Sequence, residues 1–311
     1  MSSSLDLRRL AGRGLILVSL LSAGIGYAFT TGHPALEVAA PMQAVGAFGL
    51  LSLLLFTGRS PFRRYQGDMW WLIVRLMAGN AIVAFSYPYA VQGLNLGTVA
   101  AVVVIGYLSV GFKRIWPLRY TAWGLKHLYG RTLVVGGIVM LNWPLQSGTV
   151  GLLCALISAA CVWNTVTVLE KMKGHGLVDE GATLANLLAA PVLFGVVFLL
   201  RGGGDWISWD LSRAAAAAGV LALMAPVLLT NEALRRISGL DVGVMQSLST
   251  PVHALVALGG AWLGLLDSPQ RLALFPGWAA IMLVAAAVFG ISTLKEPPVV
   301  VRRASPQHSG E

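Results

Sequence analysis

The sequence predicts an all-α integral membrane protein of ten transmembrane helices, built as two inverted five-helix repeats, and three observations lead there. Apolar residues make up 56% of the chain and charged residues 11%, with a mean hydropathy of +0.74, outside the range of a water-soluble domain. Hydrophobic stretches near the ~20 residues that cross a bilayer as helix recur ten times along the chain. A glycine-flanked motif occurs twice, as Gly93-Leu94-Asn95-Leu96-Gly97 and Gly239-Leu240-Asp241-Val242-Gly243, each time joining two apolar stretches.

Taken in order, residues 14–31 are the first span. Their basic lead, Arg8, Arg9 and Arg13, resembles a secretory signal, but removing this stretch leaves unequal halves, so it counts as a helix. Residues 37–57 and 69–91 are the second and third spans, and 96–116, opening on the first motif, is the fourth. The fifth, 130–143, is short and must tilt little, thin the membrane locally or begin inside the preceding basic segment. Residues 149–170, 181–200, 212–233, 239–266 and 273–293 repeat the series. The first repeat is therefore 1–145 and the second 146–295, and 296–311, rich in Pro, Arg and Ser, reads as a disordered cytoplasmic tail.

Charge placement tests the count, because Lys and Arg accumulate in cytoplasmic loops. With the N-terminus inside, the loops holding Arg59, Arg63, Arg64, the run Lys113 to Arg131, Lys171, Lys173, Arg235, Arg236, Lys295, Arg302 and Arg303 all face the cytoplasm. Only Arg201, Arg213 and Arg271 fall outside, and Arg75 lies within a span, where its long stem suits snorkelling to the cytoplasmic surface. A miscount by one span would scramble this bias. It predicts a multi-pass inner (plasma) membrane protein with both termini cytoplasmic.

The net charge of +9 then reflects loops facing an anionic leaflet, and no nucleic-acid partner is implied. In the basic run, Trp116, Tyr120, Trp123 and Tyr129 interleave with the charges, as in an interfacial segment with aromatic anchors, and lipid binding there is the functional alternative. Cys154 and Cys161, seven apart on one helix, are ~10.5 Å apart along its axis and cannot bond to each other. The five histidines are too scattered to build a metal site with them, so neither a metal nor a cofactor is predicted.

Five spans per half oblige the second half to enter the membrane in the opposite sense, giving a pseudo-twofold axis in the membrane plane. The motif copies agree with this: the first follows uncharged Ala90-Val91-Gln92 and the second follows Leu234-Arg235-Arg236, as expected on opposite faces. A chain with 36 glycines produces such turns by chance, and the matched positions in the two halves argue against that. The glycines permit close helix packing and serve as candidate hinges, Gly97 and Gly243, together with Pro88 and Pro251.

Three stretches carry a resemblance to a known family. They are Gly151 to Lys171 with Cys161-Val162-Trp163-Asn164, Asn231-Glu232-Ala233-Leu234 through Gly243 with Ser249-Thr250-Pro251-Val252, and Gly136-Gly137-Ile138-Val139-Met140-Leu141. The chain resembles the EamA-type ten-helix transporters of the drug/metabolite transporter superfamily over residues 10–293. It departs from them at Ser109-Val110, where the fourth helix often carries proline, and in its first helix, which lacks the usual tryptophan. The Glu that follows the fourth and ninth helices in the family is missing after the fourth and replaced by Asp267 after the ninth. The resemblance implies a cavity lined by spans 1, 3, 4, 6, 8 and 9 and, as direction, export of amino acids and related metabolites.

Within that arrangement the candidates for substrate contact are Tyr27, Asn80, Tyr87 and Tyr107 in the first half, and Trp163, Asn164, Gln246, Ser249 and His253 in the second. His253 is the one titratable group in the middle of a span, two residues after a proline that frees backbone carbonyls. It either hydrogen-bonds substrate, carries a proton or is satisfied by a neighbouring helix. Glu37, Glu170 and Glu232 lie near helix ends and read as interfacial or capping carboxylates. Aromatic walls with a few amides suit a small zwitterion or heterocycle.

The leading expectation is thus a secondary carrier that rocks two inverted repeats about a midplane site, with a small-molecule substrate and the bilayer as its partners, as monomer or homodimer. No nucleotide-binding Gly-x-x-x-x-Gly-Lys-Ser/Thr loop occurs. The alternative is a polytopic membrane enzyme acting on a lipid or small amphipathic substrate, which needs converging acids, histidines or nucleophiles that the sequence keeps apart.

Overall fold

The computed structural model describes residues 2–30, 33–62, 65–93, 96–141, 148–201, 208–262 and 275–294, and among these every regular element is helical. The longer helices of the first half are α1 (Ser2–Ala28), α2 (Ala35–Phe56), α3 (Gly67–Gly93) and α4 (Leu96–Ser109). After them come a short α5 (Phe112–Ile115), a 3₁₀ turn (Trp116–Leu118) and α6 (Ala122–Leu141). The second half holds α7 (Thr149–Gly174), α8 (Val178–Arg201), α9 (Trp209–Ala218), a π-helical turn (Gly219–Met224), α10 (Ala225–Arg236), α11 (Gly239–Gln246), α12 (Ser249–Trp262) and α13 (Phe275–Ser292). Six helical segments among the described residues are long and apolar enough to cross a membrane, Asp6–Ala28, Glu37–Phe56, Thr149–Gly174, Val178–Arg201, Trp209–Arg236 and Gly239–Gly260. The chain is a multi-pass helical membrane protein.

Helix boundaries refine the sequence reading in instructive places. α4 stops at Ser109, Gly111 adopts φ +72°, and Phe112–Leu118 bends 53° away from Ala101–Ser109. The basic aromatic run therefore leaves the line of the fourth span, with Trp116 and Tyr120 exposed and the Arg119 guanidinium stacked over both rings at 4.8 and 4.5 Å. α6 begins inside that run at Ala122, which gives the short fifth stretch its 20 residues and draws Arg131 from an expected loop into a helix. Residues 295–311, including the expected disordered tail, lie outside the described residues.

Packing joins the two halves throughout. α3 lies against α7 and α8, α1 against α10 and α12, α2 against α8 and α9, α4 against α7 and α11, and α6 against α13. Small residues allow the close approaches. A Cβ on Gly106 would sit 2.1 Å from the Ala159 carbonyl of α7, and one on Gly243 would sit 2.7 Å from the Tyr107 carbonyl of α4. The second motif copy, expected as the turn between two helices, is itself helical: Gly239 opens α11 after a two-residue link at Ile237 and Ser238. Leu94 and Asn95 of the first copy lie outside the described residues. A Cβ on Gly239 would meet the Glu170 carboxylate at 2.5 Å. That carboxylate accepts the Gly239 amide at 3.0 Å, so a residue of α7 caps α11.

Ion pairs close both ends of the α2 and α8 pair. After α2, Arg59 donates Nε and Nη2 to Glu180 at 2.9 and 2.7 Å and Nη1 to Asp179 at 2.8 Å. Asp179 also pairs with Arg235, which with Arg236 holds Glu232. Burial alone would weaken the hold of Arg59 on its proton, but the hydrogen bonds and charges of Glu180 and Asp179 outweigh it and raise its pKa. At the opposite end Glu37, at the start of α2, pairs with Arg201 at the end of α8. The carboxylates near helix ends thus all have partners: Glu37, Glu170 and Glu232.

Candidate functional site

Two helix interruptions face α1. The π turn precedes Pro226, whose ring nitrogen cannot donate, and a π turn also shifts hydrogen bonding by one residue, so carbonyls in this stretch need other donors. Ser22 of α1 donates to the Leu221 carbonyl at 2.7 Å, and Ser19 lies 3.5 Å from the Pro226 carbonyl and 3.4 Å from the Thr230 hydroxyl. The second interruption separates α11 from α12 at Ser247 and Leu248. Ser249 opens α12, which puts Pro251 in its first turn, where a helix has no use for the missing N–H. The proline thus restarts the helix after a break instead of kinking a continuous one.

Two candidate residues, Tyr27 and His253, meet next to these interruptions. The rings of Tyr27 and His253 meet edge to face at a centroid distance of 6.0 Å. Tyr87 is within electrostatic range of both Tyr27 and Tyr107. Tyr27 keeps 43% of its surface accessible. His253 faces the Leu20 carbonyl of α1, but its Nε2 is buried without a partner at hydrogen-bonding geometry among the described residues. Such a group is costly to leave unfilled and marks a position for a ligand or water.

The amides are differently employed. The Asn164 Oδ1 accepts both Nε, at 3.1 Å, and Nη2 of Arg75, and its Nδ2 donates to the Arg75 carbonyl at 3.2 Å. Arg75 therefore turns inward to α7 instead of snorkelling. Asn80 donates to Asn186 at 3.1 Å, and Gln43 donates to the same oxygen at 2.8 Å, tying α2, α3 and α8. Gln246, 9% exposed, reaches the Thr230 hydroxyl at 3.3 Å. Trp163 lines a groove of about 200 Å³ between α4 and α7 with Ile105, Gly106, Ser109, Ala159 and Ala160, and none of these is among the tyrosines or His253. Pro88 and Gly97 lie on helices, but their surroundings fall outside the described residues.

Sequence reasoning passed over Ser19, Ser22, Thr230, Gln43 and Asn186. Their signal was available, since a hydroxyl or amide in mid-span needs a partner within the protein. Cys154 and Cys161 are free thiols, and no group of three potential metal ligands occurs among the described residues.

No family model matches the chain, and no curated protein sequence matches it. A protein of known crystal structure, described only as "Crystal structure of protein", superposes with a TM-score of 0.66 at 16% identity, covering 92% of this chain and 95% of the other. That likeness extends over nearly the whole of both chains and concerns the fold alone.

Proposed function

We propose that the chain is a secondary carrier for small zwitterions or heterocycles, an EamA-type member of the drug/metabolite transporter superfamily that works by alternating access. The observation that carries this reading is the meeting of Tyr27 and His253, from opposite halves, beside two interrupted helices. Interrupted helices near the midplane are the usual setting of a carrier site, because only a cavity-lining backbone tolerates open carbonyls inside a membrane.

Ten spans in two inverted repeats account for the packing. The spans are α1, α2, α3, α4 and α6, followed by α7, α8, the run α9 to α10, the run α11 to α12, and α13. Exchanging the halves turns the α3 and α7 contact into that of α10 and α1, and α4 with α7 into α12 with α1. The α2–α8, α4–α11 and α6–α13 pairs map onto themselves. The same exchange turns Arg59–Glu180 into Arg201–Glu37, at opposite ends of one helix pair. A twofold axis lying in the membrane plane swaps ends in this way. With the arginine-rich end cytoplasmic, the network of Arg59, Asp179, Glu180, Arg235 and Glu232 closes the inner face, and export returns substrate past Tyr27.

The test is counterflow in proteoliposomes preloaded with amino acids, nucleobases or small amphipathic cations, with and without a pH gradient. Saturable counterflow of unaltered compound is expected. His253→Ala should lower its rate by about 3- to 10-fold, the factor that follows from one lost hydrogen bond of ~1 kcal/mol. Trp163→Ala, in the α4 and α7 groove, should lower it less. Full rate in the His253 variant, or chemical change of the compound, refutes the reading.

A further inference from the structure

Trp123, His127 and Arg131 follow one another every fourth residue on α6, so they form one stripe about 12 Å long on a single helix face. Arg131 is 6% exposed and His127 2%. Nη2 of Arg131 donates to the Val110 carbonyl at 3.1 Å, at the elbow after α4. Its Nε and Nη1, Nδ1 of His127 and Nε1 of Trp123 are all buried with no hydrogen-bond partner among the described residues. The Trp123 and His127 rings are in contact at 4.2 Å between centroids, so these nitrogens belong to one cluster.

No acceptor for them occurs among the described residues. No Asp or Glu occurs between Asp68 and Glu170. Several described acids are engaged elsewhere: Asp179 and Glu180 by Arg59, Glu232 by Arg235 and Arg236, Asp241 by Ser238 and Glu170 by the Gly239 amide. A guanidinium buried without counter-charge costs several kcal/mol, roughly 3–5 when a pair is broken, so an anion from outside the chain is the natural complement. Position favours it too. The same segment exposes Lys113, Lys126, Trp116, Tyr120 and Tyr129, a basic aromatic composition that favours anionic headgroups nearby.

We propose that this stripe binds a phosphate oxyanion, carried by an anionic phospholipid headgroup or by free phosphate. Arg131 is its charged donor, and His127 and Trp123 add neutral N–H groups. The ionised oxygens of a phosphate are acceptors, which suits a cluster of donors, and the planar guanidinium fits two oxygens at once. The site lies at the α4 elbow, apart from His253, and stands whether or not the carrier reading holds.

The full-length protein in uncharged detergent is titrated separately with phosphatidylglycerol, inorganic phosphate and diacylglycerol, which has acyl chains but no phosphate, and bound adducts are counted by native mass spectrometry. Phosphatidylglycerol is expected to be retained and diacylglycerol not. Arg131→Gln should weaken retention about tenfold or more, the loss of one charged hydrogen-bond donor. His127→Gln should weaken it less, and Arg213→Gln, an exposed arginine of α9, should leave it unchanged. Retention of phosphate as well identifies the oxyanion as sufficient, whereas phosphatidylglycerol alone identifies a lipid site, and either result supports the proposal. Equal retention by wild type and both the Arg131 and His127 variants, or no preference over diacylglycerol, overturns it. His127→Gln decides the matter should Arg131→Gln fold poorly.

Discussion

Gly106 offers the sharpest test of how closely the two halves pack. Replacing it by alanine would put a Cβ 2.1 Å from the Ala159 carbonyl oxygen and within 2.9 Å of its carbonyl carbon and Cα, all backbone atoms of α7. No side chain can turn away to relieve this contact. Helices α4 and α7 must separate until the gap reaches the 3.4 Å at which ordinary contact begins. Forcing a methyl group into a packed interface costs about 1–3 kcal/mol, and rigid backbone on both sides puts this case at the upper end. Gly136 is the matched control, a glycine of α6 with nothing within 4 Å of the added atom. There, alanine removes backbone entropy from the unfolded chain and stabilises by about 0.4–1 kcal/mol. The assay is thermal inactivation of both purified variants in one detergent at a fixed scan rate, since membrane proteins unfold irreversibly. Gly106→Ala should inactivate several degrees below wild type and Gly136→Ala at or above it. Equal behaviour of the two would mean that α4 and α7 do not approach as described.

Asn164→Ala should destabilise the protein by leaving the Arg75 guanidinium without its acceptor, and Arg75→Met added to it should restore part of the loss. Additive effects in that double-mutant cycle would refute the pairing. Glu180→Gln removes the charge that Arg59 grips through two nitrogens and should speed access of a soluble thiol reagent to a cysteine introduced at Ser22, with unchanged labelling counting against a closed inner face. Gly243→Val would meet the Tyr107 carbonyl and Val110, so exchange should slow several-fold, and unaltered kinetics would remove this glycine from the moving parts.

Much of the fold was legible in the sequence because the bilayer imposes a simple rule. A segment of ~20 apolar residues has to be helical to satisfy its backbone, wherever its neighbours lie. Helices accordingly occupy the stretches read from hydropathy, whereas the second glycine motif, expected as a turn, forms the start of α11 after the link at Ile237 and Ser238. The elbow after Ser109 was less legible, because nothing in the apolar run distinguishes a straight continuation from a turn at Gly111 until the packing of Leu240 against that glycine is known.

The site divides in the same way. The sequence alone determined that Tyr27, Asn80, Tyr87, Asn164, Gln246 and His253 lie in apolar surroundings and need partners, since desolvation penalises any polar group there. Only the tertiary structure decided how each need is met. Asn164 takes Arg75, Asn80 takes Asn186 and Gln246 takes Thr230, while Nε2 of His253, beside Tyr27, has no hydrogen-bond partner among the described residues. Arg131 changed most, from a loop charge to a buried guanidinium with two nitrogens that lack a partner among the described residues. The physical reason is that partition into a membrane depends on local composition, whereas a hydrogen bond depends on the register of helices remote in sequence, which composition does not encode.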